Sequence, residues 1–240
     1  MATAKIAVVD YHKGNLSSVI RGLVRAGADA FSTDDPKAIE SADGIVVPGV
    51  GSFYDAAVFM KESGQAEAIL NACKKDTPLL GICLGLQLLF DSGDEGIPED
   101  CGAVSSSSDG ADLSAGDVFE SNGSLFTRGL GLIKGTCVKL KSESLKIPHV
   151  GWDQVYLTKE GFESQLMDGF AEGSNMYFTH SYVASDCEED CTLGKTHYAQ
   201  SFPCVVGKGN VFGVQFHPEK SSSQGLLILN NFVNIVREAK

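Results

Sequence analysis

Three short stretches carry residues that could do chemistry together. Gly81-Ile82-Cys83-Leu84-Gly85 places a cysteine between two glycines, directly after the apolar run 78–82. A strand-to-helix turn of this composition is the cysteine counterpart of the G-x-S-x-G nucleophile elbow. At a helix start the dipole favours a thiolate, and a following backbone N–H, such as that of Leu84, can stabilise an oxyanion. Taken alone, the motif serves a packed core cysteine equally well. A thiolate also needs a base, and "GVQFHPEKS" (213–221) offers His217 at the end of an apolar run with Glu219 two residues on. Residues two apart in an extended chain point to one face, so Glu219 can orient the imidazole toward Cys83. The plainer alternative is a strand-end histidine beside a solvated glutamate. The third stretch, "VVPGVGSF" (46–53), has glycines that let a backbone approach a ligand and turn its N–H groups toward it. By itself it is an ordinary strand-to-helix turn.

The elements that must position these residues follow from hydrophobic periodicity. "KIAVVDY" (5–11) reads as a buried strand. In "GNLSSVIRGLVRAGA", Leu16, Val19, Ile20, Leu23 and Val24 fall on one helical face, with Gly27 as a stop. "ADAFST" and "DGIVVP" read as strands, "AEAILNACKK" as helix, "PLLGIC" as a buried strand and "LGLQLLF" as the start of a helix. The expected fold class is therefore α/β, with a mostly parallel central sheet flanked by helices. Ligands bind such sheets outside the carboxyl ends of the strands, where "PGVGS" and "CLG" both fall. In the second half, "LGLIKGTCVKL", "PHVGWDQVYL", "NMYFTHSYVA", "CTLGKTHYAQ" and "FPCVVGKGNVFGVQF" read as strands with short turns, and "GKGN" as a hairpin. An amphipathic helix is expected near 222–238, with Leu226, Leu229, Val233 and Val236 on one face.

Composition narrows the functional classes. The chain has 240 residues, 43% of them apolar, enough for a sizeable core. Its net charge of −12 argues against nucleic acid as a partner. No apolar run reaches eighteen residues, so no membrane span is expected. "MATAKIAVVDY" lacks a secretory apolar core, so the expected location is cytoplasmic, or organellar if a transit peptide has been removed. Seven cysteines, an odd number, sit at 73, 83, 101, 137, 187, 191 and 204, which suits reduced thiols rather than a disulfide scaffold. Cys187 and Cys191 lack a second ligand pair, so no metal site is expected, and nothing points to a cofactor. Much of the negative charge lies in 91–124, with nine acidic residues, eight Ser, six Gly and no Lys or Arg. That segment reads as a mobile surface insertion.

"GICLGLQ" together with "FHPEKS" resembles the triad class (class I) of glutamine amidotransferases. "VVDYHKGNL", "VVPGVGSF", "GLGLIKG", "IPHVGWDQV" and "YFTHSYV" narrow the resemblance to the glutaminases of imidazole glycerol phosphate synthase. The matches run from residue 5 to the last helix, outside 91–124, and imply one amidotransferase domain over 1–240.

The resemblance implies hydrolysis of glutamine through Cys83, His217 and Glu219, with a glutamyl thioester and release of ammonia. It places Val50 and Gly51 on an oxyanion strand, with Leu84 as a backbone donor. Gln87, His180, Ser181 and Tyr182 match glutamine-holding positions. Asn15, Trp152, Tyr177 and Lys220 match positions facing a cyclase barrel, a separate subunit or fused domain that would use the ammonia in histidine biosynthesis. Three residues depart from the usual pattern: His12 for a small residue, Val150 for Met and Asp153 for Asn. Two other readings remain, a glutaminase of another pathway such as vitamin B6 synthesis, and a non-catalytic binding subunit with the same fold. The opening "DYHKGN" and "PHVGWDQV" argue against the former, and an intact Cys83, His217 and Glu219 against the latter.

Overall fold

The computed structural model describes residues 3–12, 16–104 and 113–239. The first half alternates short apolar strands with helices: β1 (Lys5–Val9), α1 (Leu16–Arg25), β2 (Asp29–Thr33), α2 (Pro36–Glu40), β3 (Gly44–Val47), α3 (Phe53–Glu62), α4 (Gln65–Cys73), β4 (Leu79–Ile82) and α5 (Leu84–Leu88). Every residue of β3 and β4 is buried, as expected of strands covered on both faces. The second half adds β5 (Ser92–Gly93), β6 (Val118–Ser121), β7 (Ser124–Arg128), β8 (Thr136–Lys139), β9 (His149–Leu157), α6 (Lys159–Glu163), β10 (Ser174–His180), β11 (Tyr182–Ser185), β12 (Thr192–Tyr198), β13 (Gln200–Lys208), β14 (Val211–Val214) and α7 (Ser222–Glu238).

The main sheet has the order β10-β9-β12-β13-β14-β4-β3-β1-β2. From β14 to β2 all pairings are parallel, and from β10 to β14 all are antiparallel. This is the expected α/β class, with the antiparallel strands of the second half extending the same sheet. Alternate residues serve two cores. Ile6, Val8 and Val46 join α1 and α7 on one face, while Val9, Ile45 and Val47 join α3, α4 and α5 on the other. A smaller sheet, β11-β8-β5-β7-β6, lies beside the main one in the chain's second half.

Four local expectations are corrected. Val24 does not share the buried face of α1 but is exposed, because Val19 and Leu23, four apart, make a narrow buried stripe with Leu16 and Ile20 at its edge. "NMYFTHSYVA" is not one strand: it breaks at Ser181, and its halves β10 and β11 belong to different sheets. "LGLIKGTCVKL" is strand only over β8; residues 130–133 instead fold back on the end of α5, their N–H groups bonded to the carbonyls of Leu88, Leu89 and Phe90. The segment 91–124 is not a surface insertion at its two ends. β5 bridges β7 and β8, and β6 pairs with β7. Ala115, Val118 and Phe119 are buried, and Phe119 stacks on Phe126 at 5.9 Å. Few apolar residues suffice there because strand pairing satisfies the backbone and neighbouring structure covers both faces of β6 at Val118 and Phe119. Residues 105–112 lie outside the described residues.

His12 sits at φ +60°, with its N–H bonded to Asp10 Oδ1 at 2.8 Å. A glycine would meet this left-handed backbone with less strain than a histidine.

Candidate active site

The strand order places Cys83. β4 pairs in parallel with β3 on one side and β14 on the other, with Val47↔Gly81 and Val214↔Ile82 in register. The loop after β3, the turn after β4 and the segment after β14 therefore emerge together at the carboxyl edge of the sheet. Cys83 occupies the turn at φ +55° and ψ −107°, a conformation that costs a non-glycine residue about 1–3 kcal/mol and persists only where surroundings enforce it. Its N–H is held by Val214 O at 2.8 Å. Gly85 lets α5 press against β3: a Cβ there would lie 1.7 Å from Val47 O. These are the features of a nucleophile elbow, as the glycine spacing predicted.

His217 and Glu219 follow β14. His217 Nδ1 lies 2.9 Å from Glu219 Oε1, and the side chains are 5% and 4% exposed. His217 Nε2 is buried without a hydrogen-bond partner among the described residues. Burial by itself would lower the imidazole pKa, but the adjacent Cys83 and Glu219 outweigh it and raise it to about 9. In this geometry the Cys83 Sγ donates toward Thr179 O at 3.8 Å rather than to His217.

A cleft of about 70 Å³ opens over Cys83, lined by Val50, Gly51, Leu84, Gln87, Glu95, Thr179, His180, Ser181 and Tyr182. The sequence-predicted oxyanion and glutamine-holding residues thus converge on one space. Gly51 has φ +114°, accessible only to glycine without strain. Two lining residues were missed. Thr179 precedes the quoted histidine, and Glu95 lies in the acidic segment assigned to the surface. Its carboxylate accepts from Phe53 N at 3.2 Å, and burial pushes its pKa up to about 7. The signal that could have found it is its place directly after β5, which the sparse apolar content of the segment hid.

His180 differs from the expectation of a ligand-holding side chain. Its Nδ1 donates to Tyr182 O at 3.0 Å, and its Nε2 faces His149 Nδ1 at 3.0 Å. Burial first, and then His149, lower its pKa to about 3, so the ring is neutral. Both nitrogens are spent within the protein, and His180 shapes the cleft through the Tyr182 carbonyl. His149 Nε2 in turn meets Asp153 Oδ2 at 2.5 Å. Burial lowers the His149 pKa, with the Asp153 contact opposing that shift. Asp153, itself partly exposed, is thus tied to the buried His149.

Trp152, Tyr177 and Lys220 form one surface cluster. Trp152 is 51% exposed and meets Tyr177 edge-on at 5.8 Å, and Lys220 Nζ lies 5.7 Å over the Tyr177 ring. The Tyr177 ring is 6.4 Å from that of His217, so this patch abuts His217. Val150 and Tyr156 extend it along the outward face of β9. Asn15 lies outside the described residues. A larger cleft of about 700 Å³ between α1 and α7 touches Glu219 and Lys220 but not Cys83, which opens into the smaller one. Among the described residues no helix is long and apolar enough to cross a membrane.

Comparison with known proteins gives the class to which this fold and its elbow belong. The family model for glutamine amidotransferase class-I matches residues 7–236. The chain belongs to that family. It is 41% identical over 234 residues to the imidazole glycerol phosphate synthase subunit HisH of Moorella thermoacetica, covering 98% of this chain and 96% of that protein. It is 39% identical over 236 residues to the HisH subunit of Geobacillus thermodenitrificans, covering 96% of each. Within the class, its particular family is therefore that of the HisH subunits of imidazole glycerol phosphate synthase. The fold is shared with PurLQS from Thermotoga maritima, at a TM-score of 0.67 and 16% identity over 98% of this chain and 99% of that one.

Proposed function

We propose that this chain hydrolyses glutamine to glutamate and ammonia at Cys83, and supplies the ammonia to the cyclase of imidazole glycerol phosphate synthase in histidine biosynthesis. The observation that carries the reading is the convergence of the Cys83 elbow and the buried His217–Glu219 pair beside a cleft with a carboxylate, Glu95, on its wall. His217 holds the Cys83 proton as an imidazolium below about pH 9, and the Sγ thiolate attacks the side-chain amide carbon. The oxyanion is met by backbone N–H groups at Leu84 and in the Val50–Gly51 loop. The imidazolium returns its proton to the departing nitrogen, ammonia leaves and a glutamyl thioester remains. His217 then deprotonates water, which cleaves the thioester to glutamate and restores the thiol. Glu219 keeps the imidazole oriented and compensates its charge. Glu95 suits the ammonium of the amino acid, while Gln87, Ser181 and Tyr182 complete the wall.

The Trp152–Tyr177–Lys220 cluster suits the cyclase interface, because a partner seated there would lie against the residues next to His217.

The test is glutamate release by the purified chain, alone and with its cognate cyclase subunit. Turnover in the complex that disappears in Cys83→Ala, with complex formation retained, is the expected result. Turnover in Cys83→Ala equal to wild type overturns the mechanism. A complex that forms but never turns over glutamine would favour a binding subunit instead.

A further inference from the structure

Gln215 is fully buried and was assigned no role by its sequence context, yet it touches the nucleophile. It follows β14 directly, and the parallel register Val214↔Ile82 sets it beside Cys83 at the edge of the sheet. It also stands two residues before His217, so the two side chains can face the same side. Gln215 Nε2 lies 3.6 Å from Cys83 Sγ.

The orientation of this amide follows from its neighbours. Tyr182 O is a carbonyl and only accepts, so the Gln87 side-chain atom 2.9 Å from it must be the amino group. The same Gln87 Nε2 lies 3.2 Å from the Gln215 side chain, which must present its oxygen there. That turns the Gln215 amino group toward sulfur. The Tyr182 carbonyl also receives the Nδ1–H of His180, so it is held from two sides. The chain Tyr182–Gln87–Gln215–Cys83 therefore has one sense, and it ends in a donor aimed at Sγ.

A donor aimed at a cysteine stabilises the thiolate and disfavours the thiol, whose own proton points toward Thr179 O. We propose that Gln215 is a positioning residue for Cys83: its Nε2–H holds the thiolate in line with the cleft, and the Gln87–Tyr182 link fixes the sense of that donor. The role rests on Cys83 being the nucleophile. It predicts that Gln215 acts on the attacking sulfur and not on glutamine binding.

The test compares iodoacetamide alkylation of Cys83 against pH, read peptide by peptide, in wild type, Gln215→Met and Gln215→Glu, alongside steady-state glutaminase kinetics with the cyclase present. Loss of a hydrogen bond to a charged group corresponds to about a tenfold effect or more. The expected result for Gln215→Met is an alkylation midpoint raised by about one pH unit and a kcat lowered about tenfold, with KM for glutamine within about twofold of wild type. Gln215→Glu, which sets a carboxylate against the sulfur, should shift the midpoint further in the same direction. A measurement on the wild-type chain stands independently of any folding defect in these variants. With glutamine side-chain amides labelled with 15N, the Gln215 Nε2–H resonance should move in step with Cys83 deprotonation. A resonance that ignores that titration, or variants with wild-type midpoints and kcat, overturns the proposal. If Cys83→Ala is inactive while the Gln215 variants match wild type, only the role of Gln215 falls. If Cys83→Ala retains turnover, the nucleophile assignment falls with it.

Discussion

His217 and Glu219, two residues apart, share a 2.9 Å contact in which both side chains are almost wholly withdrawn from solvent. The second carboxylate oxygen has no hydrogen-bond partner among the described residues, so the imidazole is the main recipient of its charge. Such a carboxylate holds one tautomer and stabilises the imidazolium that forms during reaction.

Glu219→Gln should lower kcat by about a hundredfold or more and change KM for glutamine much less. Wild-type activity should decline as pH rises through about 9, where His217 loses the proton it gives to the leaving nitrogen. In the variant this limb should move to lower pH. A pH–rate profile of both enzymes checks it. The same proton linkage stabilises the fold: the contribution is fully present below the unfolded value of 6.5 and is lost as pH rises through 9.

Glu95 titrates in the opposite sense for catalysis. With burial holding its pKa at about 7, the carboxylate needed for the substrate ammonium forms only as pH rises through that value. kcat/KM for glutamine should increase across pH 7, and Glu95→Gln should lower it and flatten that limb. An unchanged limb in the variant would separate Glu95 from substrate binding. Because the folded carboxyl keeps its proton more tightly than the unfolded one, its contribution to stability should fall from about pH 4.5 to 7.

Gly85→Ala should be strongly destabilising. The added Cβ meets a backbone carbonyl in β3, which cannot rotate away. A loss of about 3 kcal/mol or more is expected by urea unfolding, together with loss of glutaminase activity as the elbow shifts. A variant with wild-type stability would show that α5 and β3 can separate at little cost.

Phe119→Ala tests whether the acidic segment contributes to the core. The side chain is buried against Phe126, so its removal should cost about 3 kcal/mol. Excision of 96–122 would remove β6 and should lower Tm clearly. A shift near zero for either change would restore the reading of this region as a dispensable insertion.

Cys83, His217 and Glu219 were legible as candidates because each sits in a short local pattern. Cys83 sits between glycines that only a tight turn requires, and His217 and Glu219 share a face in an extended chain. The strands and helices around them were legible from apolar periodicity, and "GKGN" as a turn. What failed had weak local signals. β5 and β6 are short and poor in apolar residues, so Glu95 was read as surface charge. Val24 matched the helical period but fell beyond the buried stripe. Ser181 interrupts a run that looks like one strand.

By itself the sequence determined the α/β class and the three short stretches that hold Cys83, His217 and Glu219, because apolar periodicity and glycine-flanked turns are local patterns; the reaction class came from the resemblance that those stretches carry. Only the tertiary structure decided which groups share the cleft. Glu95, just beyond β5, shares the cleft with Cys83, while Thr179 in β10 and Gln215, just beyond β14, touch its sulfur, and their nearness depends on strand order and register. It also decided the fate of His180, whose nitrogens are consumed by His149 and Tyr182. Hydrogen bonds between residues far apart in the chain are satisfied pair by pair as the chain closes, and no local pattern announces which partner each polar group will find.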